Sequence, residues 1–312
     1  MASRIHLQRL VERARFLPPL PAAIAYPCDA DTLALALAGA FAGYLAPTLV
    51  GPQSRIRDAA VRAGIDVSRL PIVDTPDDAP AAARRSAELA RDGQVDAIVK
   101  GTLADGELLA PVAAPDGGLR TARRLSHATL LDVPGRAEPL VVADDRLNVN
   151  PPLAAKRDIL VNSAGMAVAL GIAAPSVALL AAVDAPSAAF PSTADARALR
   201  SMAANGAFHG ARVEGPTTPD AALAAPANVL IAPSMESAVM VVRTLAGATG
   251  ALAAGLVLGA RVPVVIARRR ETMESRIASC VLASLVAQAV RPRRDAPAHA
   301  GAGPEEAATA AA

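Results

Sequence analysis

Aromatic side chains are nearly missing from this chain of 312 residues: 2% of the total, with two tyrosines, four phenylalanines and no tryptophan. That removes the stacking platforms on which single-stranded nucleic acid is held. It also forces the cores to be built from small aliphatics, which suits helices packed closely on a sheet. An excess of one charge sign is lacking too. The 31 Lys and Arg residues face 29 Asp and Glu, a net charge of +2, so nothing draws the chain toward a polyanion and no nucleic-acid partner is expected. Cysteine is scarce: Cys28 and Cys280 stand far apart, without a CxxC or a His-spaced partner. This argues against a disulfide framework and against a metal site, and makes the cytoplasm the expected compartment. Neither a Walker A sequence nor a GxGxxG is present, so triphosphate and dinucleotide chemistry have no positive support. The apolar run from Ile159 to Phe190 is broken by Asn162, Pro175, Asp184 and Pro186, which reads as buried helix and strand, with no membrane partner expected. The N-terminal stretch MASRIHLQRLVERARF is basic and amphipathic but lacks the apolar core of a secretory signal; an Arg-rich transit peptide is the alternative.

What is present is aliphatic and regularly spaced. Apolar residues make up 53% of the chain. Short runs such as Ala22 to Tyr26, Ala46 to Val50, Ala97 to Val99, Ala128 to Asp132, Leu140 to Ala143 and Val177 to Ala182 alternate with helical patterns. The helical patterns include Asp31 to Phe41, Ala79 to Asp92, Leu153 to Leu170 and Glu274 to Val290. Continuous Val/Ile/Leu strands between helices predict an α/β fold with a largely parallel sheet covered on both faces. The stiff turn Asn148-Val149-Asn150-Pro151-Pro152 before a long helix suggests a domain boundary, with a second crossing near Pro263. From Arg291 onward the chain is rich in Pro, Ala and Gly and reads as a disordered tail over 291–312.

Polar residues collect where the strands end, which is where open α/β sheets bind ligands. Lys100-Gly101 closes the strand in VDAIVKG; the lysine can hold a phosphate as a point charge, or simply end a strand in solvent. The segment GLRTARRLSH brings Arg120, Arg123 and Arg124 beside a glycine pair, a fork for phosphate groups or a solvated basic loop. Ser126 and His127 follow at once, but neighbours on a strand point to opposite faces, so they cannot form a Ser–His pair with each other. Ser192 and Thr193 read as a helix N-terminus, whose N–H groups cap or hold an anion. Asp144 and Asp145 close a strand beside Arg146, as a general base or metal ligand, or as a cap or an ion-pair partner of Arg146. Arg268, Arg269 and Arg270 sit at a strand-to-helix turn, an anion site or a solvated turn.

In their order and spacing these segments resemble the phosphate acetyltransferase and phosphate butyryltransferase family, over roughly Pro21 to Val290. The pieces are VDAIVKG, GLRTARRLSH, the strand pair ending in Asp144, KRDILVNSAGMA, PSTADARALRSMAANG, the Gly215-Pro216 pair and VPVVIARRRETMESRIAS. The resemblance implies two doubly wound, largely parallel α/β domains of the isocitrate/isopropylmalate dehydrogenase-like kind, with an active-site cleft between them. Domain one would span 1–147 plus 263–290 and domain two 148–262, the last helix returning to the first domain. The implied activity moves a short acyl group, most simply acetyl, between coenzyme A and inorganic phosphate. Phosphate attacks the thioester directly, without metal or other cofactor, in a cytoplasmic homodimer. Carried over to this chain, the catalytic residues would be Arg269, Ser275 and Ser126. Substrate would be held by Lys100, Arg120, Arg123, His127, Asp144, Ser192, Thr193 and Arg268. The chain departs from the family pattern at Arg268, where relatives carry serine, at Ser275, where some carry an acid, and at Ser234, Ala238 and Val239, where Asp and a Gly-Asn pair are usual. Those departures define a second reading, a catalytically impaired paralogue that binds coenzyme A or acyl phosphate as a regulatory or partner protein.

Overall fold

The computed structural model of the chain describes residues 5–208, 210–267 and 271–290. The tail expected over 291–312 lies outside them. The chain opens with α1 (Ile5–Ala14), β1 (Leu20–Ala25), α2 (Ala30–Phe41), β2 (Leu45–Gly51), α3 (Gln53–Ala63), β3 (Ile72–Asp74), α4 (Ala79–Arg91), β4 (Ala97–Lys100) and α5 (Asp105–Ala113). β5 (Ser126–Asp132) and β6 (Leu140–Ala143) follow, then α6 (Leu153–Ala169), β7 (Ser176–Leu180), α7 (Pro191–Ala204), β8 (Arg212–Thr217), α8 (Pro219–Ala224) and β9 (Val229–Ile231). The described residues end with α9 (Met235–Thr249), β10 (Leu252–Leu258), β11 (Val264–Val265) and α10 (Met273–Val290).

The eleven strands of the described residues join one sheet, in the order β3-β2-β1-β4-β11-β10-β5-β6-β9-β7-β8. The two wings are parallel, as the continuous aliphatic runs require. The antiparallel pairings are β11 with β10, β10 with β5, and β5 with β6, so the strand direction reverses in the middle. Two doubly wound α/β lobes therefore share a sheet, with β5 and β10 as the seam.

Local sequence sets the element ends. The Asp29 and Asp78 carboxylates accept from Thr32 N at 2.7 Å and Ala81 N at 3.0 Å, capping α2 and α4. Gly64 and Gly250 take left-handed φ angles of 65° and 68° to stop α3 and α9. Small side chains then let the elements close up. α10 is long and apolar enough to cross a membrane by composition, but here it is a core helix. Its residues 278–287 are buried against α1, α2, α6 and the sheet, which joins the C-terminal helix to the first lobe. α1 is tied to the seam from outside. Asp132 at the end of β5 accepts from Leu7 N at 2.9 Å, occupying one of the unpaired N–H groups of the first turn of α1.

Candidate active site

The first lobe carries the strand order that makes a crevice. β1 and β4 are neighbours, and their chains leave in opposite directions, toward α2 beside β2 and toward α5. This is a topological switch point, where open sheets take their ligands. A polar cavity of about 900 Å³ lies there, lined by Asp29 to Thr32, Lys100 to Ala104, Ala267 and Arg276. Gly101 makes the crossing possible: a Cβ at that position would lie 2.4 Å from the Ala25 carbonyl oxygen and 2.6 Å from that of Tyr26. Both contacts are backbone and cannot yield. Tyr26 itself holds a left-handed φ of 54°, unusual for a residue with a side chain. Its hydroxyl donates to Asp77 at 2.7 Å and accepts from Arg55 at 2.7 Å. Burial first, and then the Asp77 carboxylate, push this phenol up to about 12.

Lys100 reaches into a charged chain. Its ammonium lies 2.5 Å from Asp105 Oδ1, while Arg146 donates to Asp105 Oδ2 at 3.1 Å and to the Ile266 carbonyl at 2.5 Å. Arg146 also faces Glu271 at 3.8 Å. Burial raises the Asp105 carboxyl, but the hydrogen bond from Lys100 and the charges of Arg146 and Lys100 outweigh it and hold the pKa below its ordinary value. Asp29 is balanced in the same way. Burial opposes its charge, and donors from Thr32 and the Thr102 hydroxyl, at 2.7 Å, prevail. The Arg146 side chain thus clamps the turn between β11 and α10 against α5.

A second cavity, of about 400 Å³, opens on the other side of that turn. Its floor is the antiparallel seam, His127 and Thr129 from β5 with Ala253 and Gly255 from β10. Its walls are Ile266 and Glu271 on one side and Val242, Arg243 and Ala246 of α9 on the other. Residues of both lobes therefore face each other across strands whose small side chains leave room. On the floor, His127 Nδ1 is 2.5 Å from Asp145 Oδ1, and the Thr129 hydroxyl donates to the same oxygen at 3.0 Å. His127 and Asp145 are each only 3% exposed, so this pair is removed from bulk water.

The remaining expected residues are placed elsewhere. Ser126 points to the opposite face of β5, as strand parity demands, where its oxygen accepts from Asn162 at 2.8 Å under α6. Asp144 accepts from the backbone N–H of Arg146 and Leu147, both at 3.0 Å, and from the Asn148 amide at 2.6 Å. It shapes the turn after β6 instead of facing the cavity. Ser275 donates its N–H to Thr272 Oγ1 at 3.2 Å in the first turn of α10 and lines neither cavity. Arg120 is exposed on an isolated bridge to Ala260, and Arg123 lines an apolar groove of about 430 Å³ under α6 and α10. Thr193 is buried, donating to the Phe190 carbonyl at 2.8 Å and accepting from Ser187 N at 2.9 Å, so it and Ser192 belong to the start of α7. Ser234 caps α9, and Ala238 is fully buried in it. Arg268 and Arg269 lie outside the described residues. The structure thus places Lys100 and His127 at the two cavities, gives roles to Asp145 and Arg146, which the sequence offered only as a base or pairing candidate, and adds Asp105, Thr129 and Glu271, which the sequence did not single out.

The model of the phosphate acetyl/butaryl transferase family matches residues 78–284. The chain is 40% identical over 293 residues to the phosphate acetyltransferase of Rhizobium meliloti, covering 89% of this chain and 92% of that protein. It is 32% identical over 253 residues to the phosphate butyryltransferase of Clostridium acetobutylicum, covering 77% and 84% of the two chains. Among solved structures, a branched-chain phosphotransacylase from Enterococcus faecalis superposes with a TM-score of 0.74 at 21% identity, covering 86% of this chain and 99% of that one. With a family match spanning most of the sequence, near-complete overlap with the Rhizobium enzyme, and the two-lobed sheet with its seam cleft, the chain belongs to the phosphate acetyl/butyryltransferase family.

Proposed function

We propose that this enzyme transfers an acetyl group between coenzyme A and inorganic phosphate, at the cavities bordered by Ile266, Ala267 and Glu271. Family membership over nearly the whole chain carries the reading, and the identity to a phosphate acetyltransferase favours acetyl over longer groups. The same comparison favours the active enzyme over the impaired paralogue. A phosphate oxygen attacks the thioester carbonyl, and the thiolate of coenzyme A leaves. The chemistry needs close positioning, cations for phosphate and the developing oxyanion, and a proton for the departing sulfur. Arg146 offers a guanidinium at the cleft, anchored by Asp105 and the Ile266 carbonyl. Arg269, from the resemblance, would add a second. Lys100 stands at the switch-point cavity, which has the room for a coenzyme A arm. A homodimer working in the cytoplasm completes the proposal; the two unpaired cysteines fit a reducing compartment.

The test is release of free thiol from acetyl-, propionyl- and butyryl-coenzyme A, with and without phosphate, beside an Arg269→Ala variant. The expected result is phosphate-dependent release, fastest with acetyl and lowered in the variant. Faster release from butyryl-coenzyme A would reassign the acyl group. No release from any of the three, with coenzyme A still raising the melting temperature, would restore the impaired paralogue.

A further inference from the structure

A transferase of this kind has a proton to move. The nucleophile at neutral pH is HPO₄²⁻, which carries a proton on oxygen. The product side is an acyl phosphate dianion and a protonated thiol. One proton must pass from the phosphate hydroxyl to the sulfur as the carbon–oxygen bond forms and the carbon–sulfur bond breaks. Among the described side chains lining the interlobe cavity, His127 supplies the one imidazole, a ring whose two nitrogens can accept a proton on one side and donate on the other.

The geometry points to His127 as the relay for that proton; we propose this role on the basis of the transferase reading above. Three observations carry it. Asp145 lies 2.5 Å from Nδ1, and an ionised carboxylate only accepts, so Nδ1 carries the hydrogen and Nε2 presents its lone pair. Nε2 has no hydrogen-bond partner among the described residues, although the ring is almost wholly buried and lines the cavity. The space beside Nε2 exists because residue 255 is glycine: a Cβ there would stand 2.8 Å from Nε2 and 2.6 Å from Cε1. A buried imidazole has thus been oriented by one carboxylate and left open on its other nitrogen toward a cavity between the lobes. That is the arrangement of a general acid–base group with its positioning residue.

In the step itself, Nε2 takes the phosphate hydroxyl proton as a phosphate oxygen bonds to the carbonyl carbon. Asp145 stabilises the imidazolium that forms. Nε2–H then delivers the proton to the sulfur as the thiolate departs, and the imidazole returns to its starting state. Charge and protons balance without a further reactant, and the reverse reaction runs through the same states. Arg146, Arg243 and Glu271 also face this cavity, and they set the field in which the proton moves.

The experiment compares wild type with His127→Ala, His127→Gln and Asp145→Asn in thiol release from acetyl-coenzyme A and phosphate. Melting temperature with and without coenzyme A serves as the check on folding and binding. The relay predicts that kcat falls by about 10²- to 10⁴-fold in both His127 variants while KM changes little. It also predicts that imidazole added to His127→Ala restores part of the rate, and that Asp145→Asn loses kcat because the tautomer is no longer fixed. If His127→Ala does not fold, His127→Gln decides the matter, since glutamine can bond Asp145 but cannot relay a proton. A His127→Gln enzyme with near wild-type kcat, or a His127→Ala enzyme that folds, has lost its rate and gains nothing from imidazole, would overturn the role. Absence of phosphate-dependent release by the wild type itself would remove the transferase reading, and the relay with it.

Discussion

Replacing Gly255 by alanine places a methyl group 2.6 Å from His127 Cε1, 2.8 Å from Nε2 and 3.3 Å from the Ala128 carbonyl oxygen. The two worst contacts are to one ring, and that ring cannot retreat. Its Nδ1 is held at 2.5 Å by Asp145, Asp145 is held by Thr129, and the residue is 3% exposed. Gly255 does not have a left-handed φ, so the backbone conformation itself suits alanine. The expected cost is the overpacking penalty of about 1–3 kcal/mol, partly offset by roughly 0.4–1 kcal/mol from the smaller unfolded-state entropy of alanine. Urea denaturation of four proteins isolates the contact: wild type, Gly255→Ala, His127→Ala and the double variant. In the His127→Ala background the clash is gone, and Gly255→Ala should become neutral or slightly stabilising. An equal cost in both backgrounds would refute the packing of the ring over Gly255, and with it the open space claimed for Nε2.

Three further outcomes are expected. The pairs of Asp105 with Lys100 and Arg146 hold its folded pKa below the ordinary 3.8, so their stabilisation is complete above that value and is lost as pH falls through the depressed folded one; Asp105→Asn should be less stable than wild type at neutral pH, and the gap should close on acidification below 3.8 when followed by circular dichroism. Lys156 is buried, with its ammonium 2.7 Å from the better exposed Asp195, so Asp195→Ala strands a buried charge and should cost about 3 kcal/mol in urea melts, more than Lys156→Met, which removes the charge itself. Burial pushes the half-buried Cys28 and the buried Cys280 thiols up to about 11 and about 12; a disulfide reagent at pH near 8 should find no fast-reacting thiol in the folded protein and two after denaturation, and a fast thiol in the native state would contradict the raised values.

The strands of both parallel wings were legible because a buried parallel strand writes itself as an uninterrupted aliphatic run; β6 matches its expected limits at Leu140 and Ala143. β10 was not legible. Three of the seven residues of its sequence LAAGLVL are alanine or glycine and a single valine is β-branched, and α10 packs on it. Missing β10 hid the reversal of strand direction and so the seam that floors the cleft. The site suffered from the same gap. His127 was selected by type, but its partner depends on the β5–β6 hairpin, in which Ala128 opposes Ala143 and the chain beyond swings Asp145 back beneath the ring. Asp145 and Asp144 are adjacent, and only the turn geometry assigns the first to the cavity and the second to backbone N–H groups. The sequence offers Arg146 only as a pairing partner of its neighbours, and its role in the cleft is hidden for another reason. Its value lies in contacts with Asp105 and Ile266, 41 and 120 residues away.

Transfer of an acetyl group to phosphate is tested by following both products at once. Wild-type protein is mixed with acetyl-coenzyme A and phosphate, free thiol is counted by colour and acetyl phosphate by phosphorus resonance. One acetyl phosphate formed for each thiol released, with no release when phosphate is withheld, is the predicted result. Thiol appearing without acetyl phosphate would mean that water and not phosphate receives the acyl group, and would contradict the account.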